Sequence, residues 1–265
     1  MTHKSGQVPQ IKATLIDHMG SDLSTVNAAR VSFGKASEAV EWLEYDYENG
    51  NRCGDLIAVL EERDKKLIRY LAKHKHLSPF GHAFASFHVK APIFVARQLQ
   101  KHKFLRWNEI SRRYVSDEPE FYVPEVWRGK SADKKQGSEG VVTEVTLSEV
   151  DMSYWNDYAE DHKDKMPWRH YKKSIDEYVA EVNAKSHEAY DTMVEDGVAP
   201  EMARMVLPQS TMTEWYWSGS LDAFASMCRL RCASDTQYES RVVADQISKV
   251  MGDLFPVSWP ALMGE

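Results

Sequence analysis

Apolar residues recur along this chain with two periods, and the switches between them mark out the elements. Ile11 to Ile16 alternates as a strand does, and Gly20-Ser21-Asp22 offers a cap ahead of Leu23, Val26 and Ala29 at helical spacing. The chain therefore opens with a strand and a helix. From Asp55 to His76, Leu56, Val59, Leu60, Leu67, Ile68 and Leu71 recur at helical intervals among charges, which predicts a surface-packed helix or helix pair. Pro79 bars its predecessor from helical geometry, so Lys73 to His82 leaves the helix for a turn. Phe84 to Lys90 alternates again, with Ala85, Phe87 and Val89 on one face and Ser86, His88 and Lys90 on the other, the mark of a half-buried strand. Pro92 suits the first turn of a helix that Ile93, Val95, Ala96 and Leu99 continue.

In the second half, Ile175, Tyr178, Val179, Val182, Ala189, Tyr190 and Met193 form a stripe of period 3.6, ended by Gly197. Ala199-Pro200-Glu201 opens a further helix with an acid in its first turn, and Arg204 lies one turn in before Pro208. Thr211 to Trp217 reads as a strand whose aromatics belong to a core rather than to a cofactor shelf. Leu221 to Cys232 is a helix with Leu221, Phe224, Ala225 and Cys228 on one stripe, and Arg231 on its shoulder. A guanidinium there needs a partner, either a ligand or a carboxylate such as Asp235 or Glu239. An amphipathic helix through Tyr238, Val242, Ile247, Val250 and Leu254 runs to Pro256. Three stretches lack any pattern: residues 34–55 are irregular and acidic, Arg128 to Gly140 reads as an exposed insertion, and Tyr154 to Trp168 is acidic and aromatic.

Composition narrows the class. The chain has 265 residues, 43% hydrophobic, enough for one large domain spanning 1–265 with an exposed insertion around 125–170. Lys plus Arg total 33 against 40 Asp plus Glu, a net charge of -7, so an anion is held locally and a general nucleic-acid partner is not expected. Cys53, Cys228 and Cys232 make neither a metal pattern nor a disulfide set, which fits a reducing cytoplasm. No apolar leader and no 18-residue apolar run is present, so neither secretion nor membrane spanning is expected. His74, His76 and His82 lack both the helical pair spacing and the neighbouring carboxylate of a zinc site, so no metal is expected.

The chemistry concentrates between Gln98 and Tyr114. Lys101, His102, Lys103 and Arg106 precede Asn108, Glu109, Ser111, Arg112 and Arg113, with only Phe104, Leu105, Trp107 and Ile110 between them. Such cations hold phosphate through charge-assisted hydrogen bonds, and Glu, Asn and Ser suit the edge of a pyrimidine or flavin; a solvated surface loop is the plainer reading. The helix ending at Leu99 places Gln98, Lys101 and His102 at its end and the Asn-Glu-x-Ser residues on the loop after it.

This run resembles the signature of the flavin-dependent thymidylate synthases. The resemblance extends to Asn27-Ala-Ala-Arg30-Val-Ser32-Phe33, Glu120-Phe-Tyr-Val-Pro124, Ala203-Arg204-Met-Val-Leu-Pro208, Leu230-Arg231 and Gln237-x-Glu239, in the family's order. It implies an α/β (α+β) fold, a small mixed sheet with a group of long helices. It also implies reductive methylation of dUMP to dTMP with FAD, NADPH and methylenetetrahydrofolate, by a homotetramer.

Carried over residue by residue, the resemblance implies catalytic roles for Arg231 and Ser111. Gln98, Lys101, Glu109, Ser111, Arg112, Arg113, Arg204 and Arg231 would meet the nucleotide. Ser78, Lys101, His102, Lys103, Asn108, Glu109, Ser220 and Ser226 would meet the flavin. The chain departs from the family at Lys101 and Lys103, where arginine is usual, at Arg106, where serine is usual, and at Ser220 and Ser226, where asparagine often stands; lysine keeps the charge but loses the planar fork. These departures leave room for a flavoenzyme acting on another pyrimidine nucleotide. A more distant alternative is a single-strand-binding module using Lys101, Lys103, Arg106, Trp107, Arg112 and Arg113.

Overall fold

A computed structural model describes residues 10–38, 40–42, 57–114, 117–132, 137–150 and 168–264. In chain order its first elements are β1 (Lys12–Met19), α1 (Asp22–Arg30), β2 (Val40–Trp42), β3 (Ile57–Val59), α2 (Glu62–Lys73), β4 (Phe84–Pro92), α3 (Ile93–Leu99) and β5 (Leu105–Glu109). There follow β6 (Arg128–Lys130), β7 (Ser138–Val141), β8 (Glu144–Val150), β9 (Trp168–Ser174), α4 (Ile175–Glu195) and α5 (Pro200–Ala203). The chain closes with β10 (Met212–Ser220), α6 (Leu221–Arg231), α7 (Tyr238–Leu254) and α8 (Ser258–Met263). Two compact units result: Gln10–Ile110 with Met212–Glu265, and a second that contains Ser111–Thr211.

The first unit holds a four-stranded sheet in the order β1-β4-β10-β5, and each of its pairings is antiparallel. β4 carries the alternation the sequence sets out: Ala85, Phe87 and Val89 are buried while Ser86, His88 and Lys90 are half-buried. Trp215 and Trp217 of β10 fill the same inner face, and Phe224 of α6 meets Phe87 and Trp217 edge-on at 5.3 and 5.7 Å between ring centres. Met227, Ile247 and Met251 complete a core in which each of these side chains is fully enclosed. At roughly 1.5–3 kcal/mol for burying such a side chain, this face supplies the main driving force for the unit. On the outer face Glu214 takes His88 Nε2 at 2.9 Å and Lys90 Nζ at 3.5 Å, so the polar side of the sheet is internally paired.

Three features differ from the sequence expectations. Asn108 and Glu109 lie on strand β5, not on a loop after α3, because Leu105, Trp107 and Glu109 line up against Gly219, Trp217 and Trp215 of β10. Within the expected helix or helix pair at 55–76, Ile57–Val59 instead forms strand β3, which pairs with β2, and the helix begins only at Glu62. Arg128 to Gly140, read as an exposed insertion without pattern, is exposed over most of its described residues but carries β6 and most of its partner strand β7. Most of the irregular stretch 34–55, Cys53 with it, and all of Tyr154 to Trp168 except Trp168 lie outside the described residues.

The second unit is dominated by α4, which covers the predicted stripe, with a hairpin of β8 and β9 leading directly into it. No described helix is long and apolar enough to cross a membrane. No cluster of three metal-ligating side chains occurs among the described residues.

Candidate active site

The turn from α3 to β5 is short, and Phe104 closes it with a φ of 66°, in the left-handed region. The backbone N–H of His102 donates to the carbonyl of Leu99 at 3.1 Å, pinning the turn to the end of α3. Lys101 and Lys103 point into solvent from this turn while the imidazole of His102 turns inward. There it meets Arg231, in the last turn of α6: the guanidinium Nε donates to His102 Nε2 at 3.0 Å. Burial first, and the Arg231 charge second, hold the imidazole down to about 4. The histidine is therefore neutral at physiological pH, its single proton on Nδ1. Among the described residues Arg231 meets His102 and makes no ion pair, so a neutral contact stands where the sequence offered a ligand or a carboxylate.

Glu109, at the end of β5, is held at both oxygens: Thr213 Oγ1 donates to Oε1 at 2.8 Å and the Trp107 indole N–H to Oε2 at 3.1 Å. Trp107 in turn stacks on Trp215 with 4.3 Å between centres. The carboxylate is thus aimed by a rigid aromatic pair yet keeps lone pairs for a ligand. Gln98 is fixed in a similar way. Ser240 Oγ donates to its Oε1 at 3.0 Å, its Nε2 donates to Gln237 Oε1, and Gln237 Nε2 donates to Glu239 Oε2 at 3.3 Å. That chain sets which end of the Gln98 amide is donor and which acceptor.

Asn108 lies on the outer face of β5 opposite Tyr216, away from Glu109. Ser220 precedes α6 and spends its hydroxyl on Asp222 Oδ1 at 2.6 Å, while Ser226 sits on the exposed side of that helix. Ser78 is exposed in a short 3-10 turn. The remaining expected residues belong to the second unit. Ser111 Oγ accepts the Arg113 backbone N–H at 3.3 Å, and Arg112 Nη1 donates to the Asp117 carbonyl at 2.8 Å. Arg113 and Arg204 converge on one residue: Arg113 Nε pairs with Glu201 Oε2 at 3.3 Å and Arg204 Nε donates to the Glu201 carbonyl at 3.2 Å. Half-exposed pairs of this kind contribute below about 1 kcal/mol, so both guanidinium groups are easily redirected to an anion.

Thr213 and Ser240 carry no motif in the sequence, and Trp107 stands out there only within a basic strip. A signal for Thr213 existed, since it shares the inward parity of Trp215 and Trp217.

The model of the thymidylate synthase complementing protein family matches residues 14–257. This chain belongs to that family. A flavin-dependent thymidylate synthase of Thermus thermophilus is 35% identical over 247 residues, covering 93% of this chain and 73% of the relative. The corresponding protein of Kosmotoga olearia is 34% identical over 249 residues, 94% of this chain and 88% of that one. Among solved structures, a UMP/dUMP methylase PolB from Streptomyces cacaoi bound with 5-Br dUMP superposes with a TM-score of 0.68 at 28% identity, covering 96% and 95% of the two chains. The same methylase bound with 5-Br UMP gives 0.68 at 26% identity. Membership identifies the chain as an enzyme of the flavin-dependent thymidylate synthase type, with an α/β fold of small antiparallel sheets and several helices.

Proposed function

We propose that this protein methylates dUMP at C5 to give dTMP, taking the carbon from methylenetetrahydrofolate and its reducing equivalents from NADPH through FAD. The observation that carries the reading is Arg231, a half-buried guanidinium whose one described partner is the neutral His102. A uracil becomes nucleophilic at C5 when negative charge spreads over N3 and O2, and a preorganised cation aimed at that charge lowers the barrier by a few kcal/mol. The other route to activation, a thiol adding at C6, is closed to Cys228. Cys228 is enclosed with its thiol on the Ala244 carbonyl, and burial, with Cys232 beside it, pushes that thiol well above the ordinary range.

Ser111 orients the substrate, Arg113 and Arg204 take the phosphate and base, and Gln98, Lys101, Glu109 and Arg112 complete the nucleotide contacts. The residues present also suit a flavin dinucleotide. Lys101, Lys103 and Arg106 are exposed, and no described carboxylate lies within ion-pair range of them, which fits the charge of a pyrophosphate. With them, Ser78, His102, Asn108, Glu109, Ser220 and Ser226 are the flavin-holding set. When bound, reduced flavin supplies the hydride that converts the transferred methylene to a methyl group, and the C5 proton is released to solvent. A homotetramer in the cytoplasm, with each site completed by more than one chain, belongs to the same proposal. A light-scattering mass of a single chain at working concentration would overturn that part.

The test is release of tritium from C5-labelled dUMP with FAD, NADPH and methylenetetrahydrofolate supplied and each omitted in turn. Release that requires all three is expected; release without flavin, or none with flavin bound, overturns the proposal. A second reading, methylation of UMP, is favoured by the likeness to a methylase solved with both 5-Br dUMP and 5-Br UMP. Running UMP and dCMP beside dUMP separates the two.

A further inference from the structure

We propose that His102 is the positioning residue of Arg231, and that it is a neutral acceptor so that the guanidinium keeps its whole charge for an electron-rich pyrimidine ring. This rests on the nucleotide reading above and extends it to a residue otherwise assigned to the flavin.

The geometry supports it in three ways. First, His102 takes Arg231 by Nε, at 3.0 Å, which fixes the plane of the guanidinium and leaves its two terminal nitrogens, which no described residue takes, as a fork. Second, the imidazole is itself held, because its backbone is bonded to Leu99 and the turn is closed by the left-handed Phe104. Third, the unit contains a contrasting arginine. Arg30 binds the enclosed carboxylate of Asp64 through both Nε and Nη2, a pair that cancels its charge and ties α1 to α2. A carboxylate at position 102 would do the same to Arg231 and leave little field for a ligand. A histidine orients without neutralising. Its own protonation would set two donors against each other, and burial beside a cation opposes that protonation.

The experiment compares His102→Gln, His102→Phe and His102→Glu with the wild type, measuring dUMP affinity by calorimetry on the flavin-supplied protein and flavin content by absorbance. His102→Gln retains a neutral acceptor and should bind dUMP within about 3-fold of wild type. His102→Phe loses the orientation and should weaken it about 10-fold, and His102→Glu, which cancels the charge, about 30-fold or more. Because His102 is also assigned to the flavin, dUMP affinities are compared at equal flavin occupancy, read from the absorbance. Equal dUMP affinity in all variants, or loss of flavin with unchanged dUMP affinity, overturns the proposal; rescue by Gln alone separates positioning from general misfolding.

Nitrogen-15 NMR of the wild-type imidazole at neutral pH, without nucleotide, reads the pair directly. A ring protonated on Nδ1 with Nε2 accepting is expected, and a ring carrying its proton on Nε2 sinks the pairing. If the wild type binds no dUMP while the spectrum is as expected, the methylation reading fails and the His102–Arg231 pairing stands.

Discussion

At His102 a titratable group has been placed where its charged form is unwelcome, and the cost appears in the pH dependence of folding. The unfolded chain takes up a proton at this imidazole near pH 6.5, while the folded chain does so only near 4, because the ring is partly buried and faces Arg231. Between those values the unfolded state binds more protons, so stability falls as the pH drops through the window and levels off below it. The nearest cations on its own turn, Lys101 and Lys103, are exposed and screened. Wild type should therefore lose about 1 kcal/mol more than His102→Gln between pH 7 and pH 5, the figure being reduced for the half-exposure of the ring. Chemical denaturation of both proteins at the two pH values measures it, and parallel losses would show that the ring is already free to protonate. None of this was legible in the sequence beyond the need of Arg231 for a partner. The two residues are 129 positions apart, and the carboxylates nearby in sequence were the natural candidates.

At the scale of elements, β5 explains both why the site is rigid and why its sequence reads as a loop. Five residues of strand carry Arg106, Asn108 and Glu109, and a run so polar has the look of a loop. Yet its inward positions, Leu105, Trp107 and Glu109, keep the period of two, and β10 supplies Trp217 and Trp215 opposite Trp107 and Glu109. Residue 219 has to be small for this pairing. A Cβ there would stand 2.4 Å from Leu105 Cδ2 and 3.2 Å from the Phe104 carbonyl, so the strand edge and the turn bearing His102 press directly on the glycine. Gly219→Ala should lower stability by about 1–3 kcal/mol, the usual cost of overpacking, and should weaken dUMP binding at the same time, because the displaced turn carries the partner of Arg231. A thermal melt with a binding titration on the same sample checks it. Unchanged binding in a destabilised protein would mean that the turn yields without moving His102. The strands with clean alternation, β4 above all, were legible without help, since a half-buried face writes its period into the sequence.

The first unit is built from both ends of the described chain, and what joins them is not hydrophobic alone. Asp22, the first residue of α1, is buried, and its two carboxylate oxygens accept the backbone N–H groups of Val257 and Ser258 at 2.9 and 2.8 Å, where α8 begins. Those N–H groups have no helical partners, and a carboxylate is the acceptor that best matches the positive end of a helix. Sequence reading recognised Asp22 only as part of a local cap, because nothing in a linear pattern reports an acceptor serving a helix 235 positions away. The consequence is a stability effect remote from the chemistry. Asp22→Ala would strand one buried and one part-buried donor and should cost about 2–4 kcal/mol, while Asp22→Asn, which keeps one acceptor oxygen, should cost about half as much. Neither side chain touches His102, Arg231 or Glu109, so dUMP affinity measured below the melting transition should match wild type. Denaturant melts of the three proteins test the ordering. If Asp22→Ala melts with the wild type, the end of α8 is satisfied by water and the closure of this unit rests on its apolar core alone.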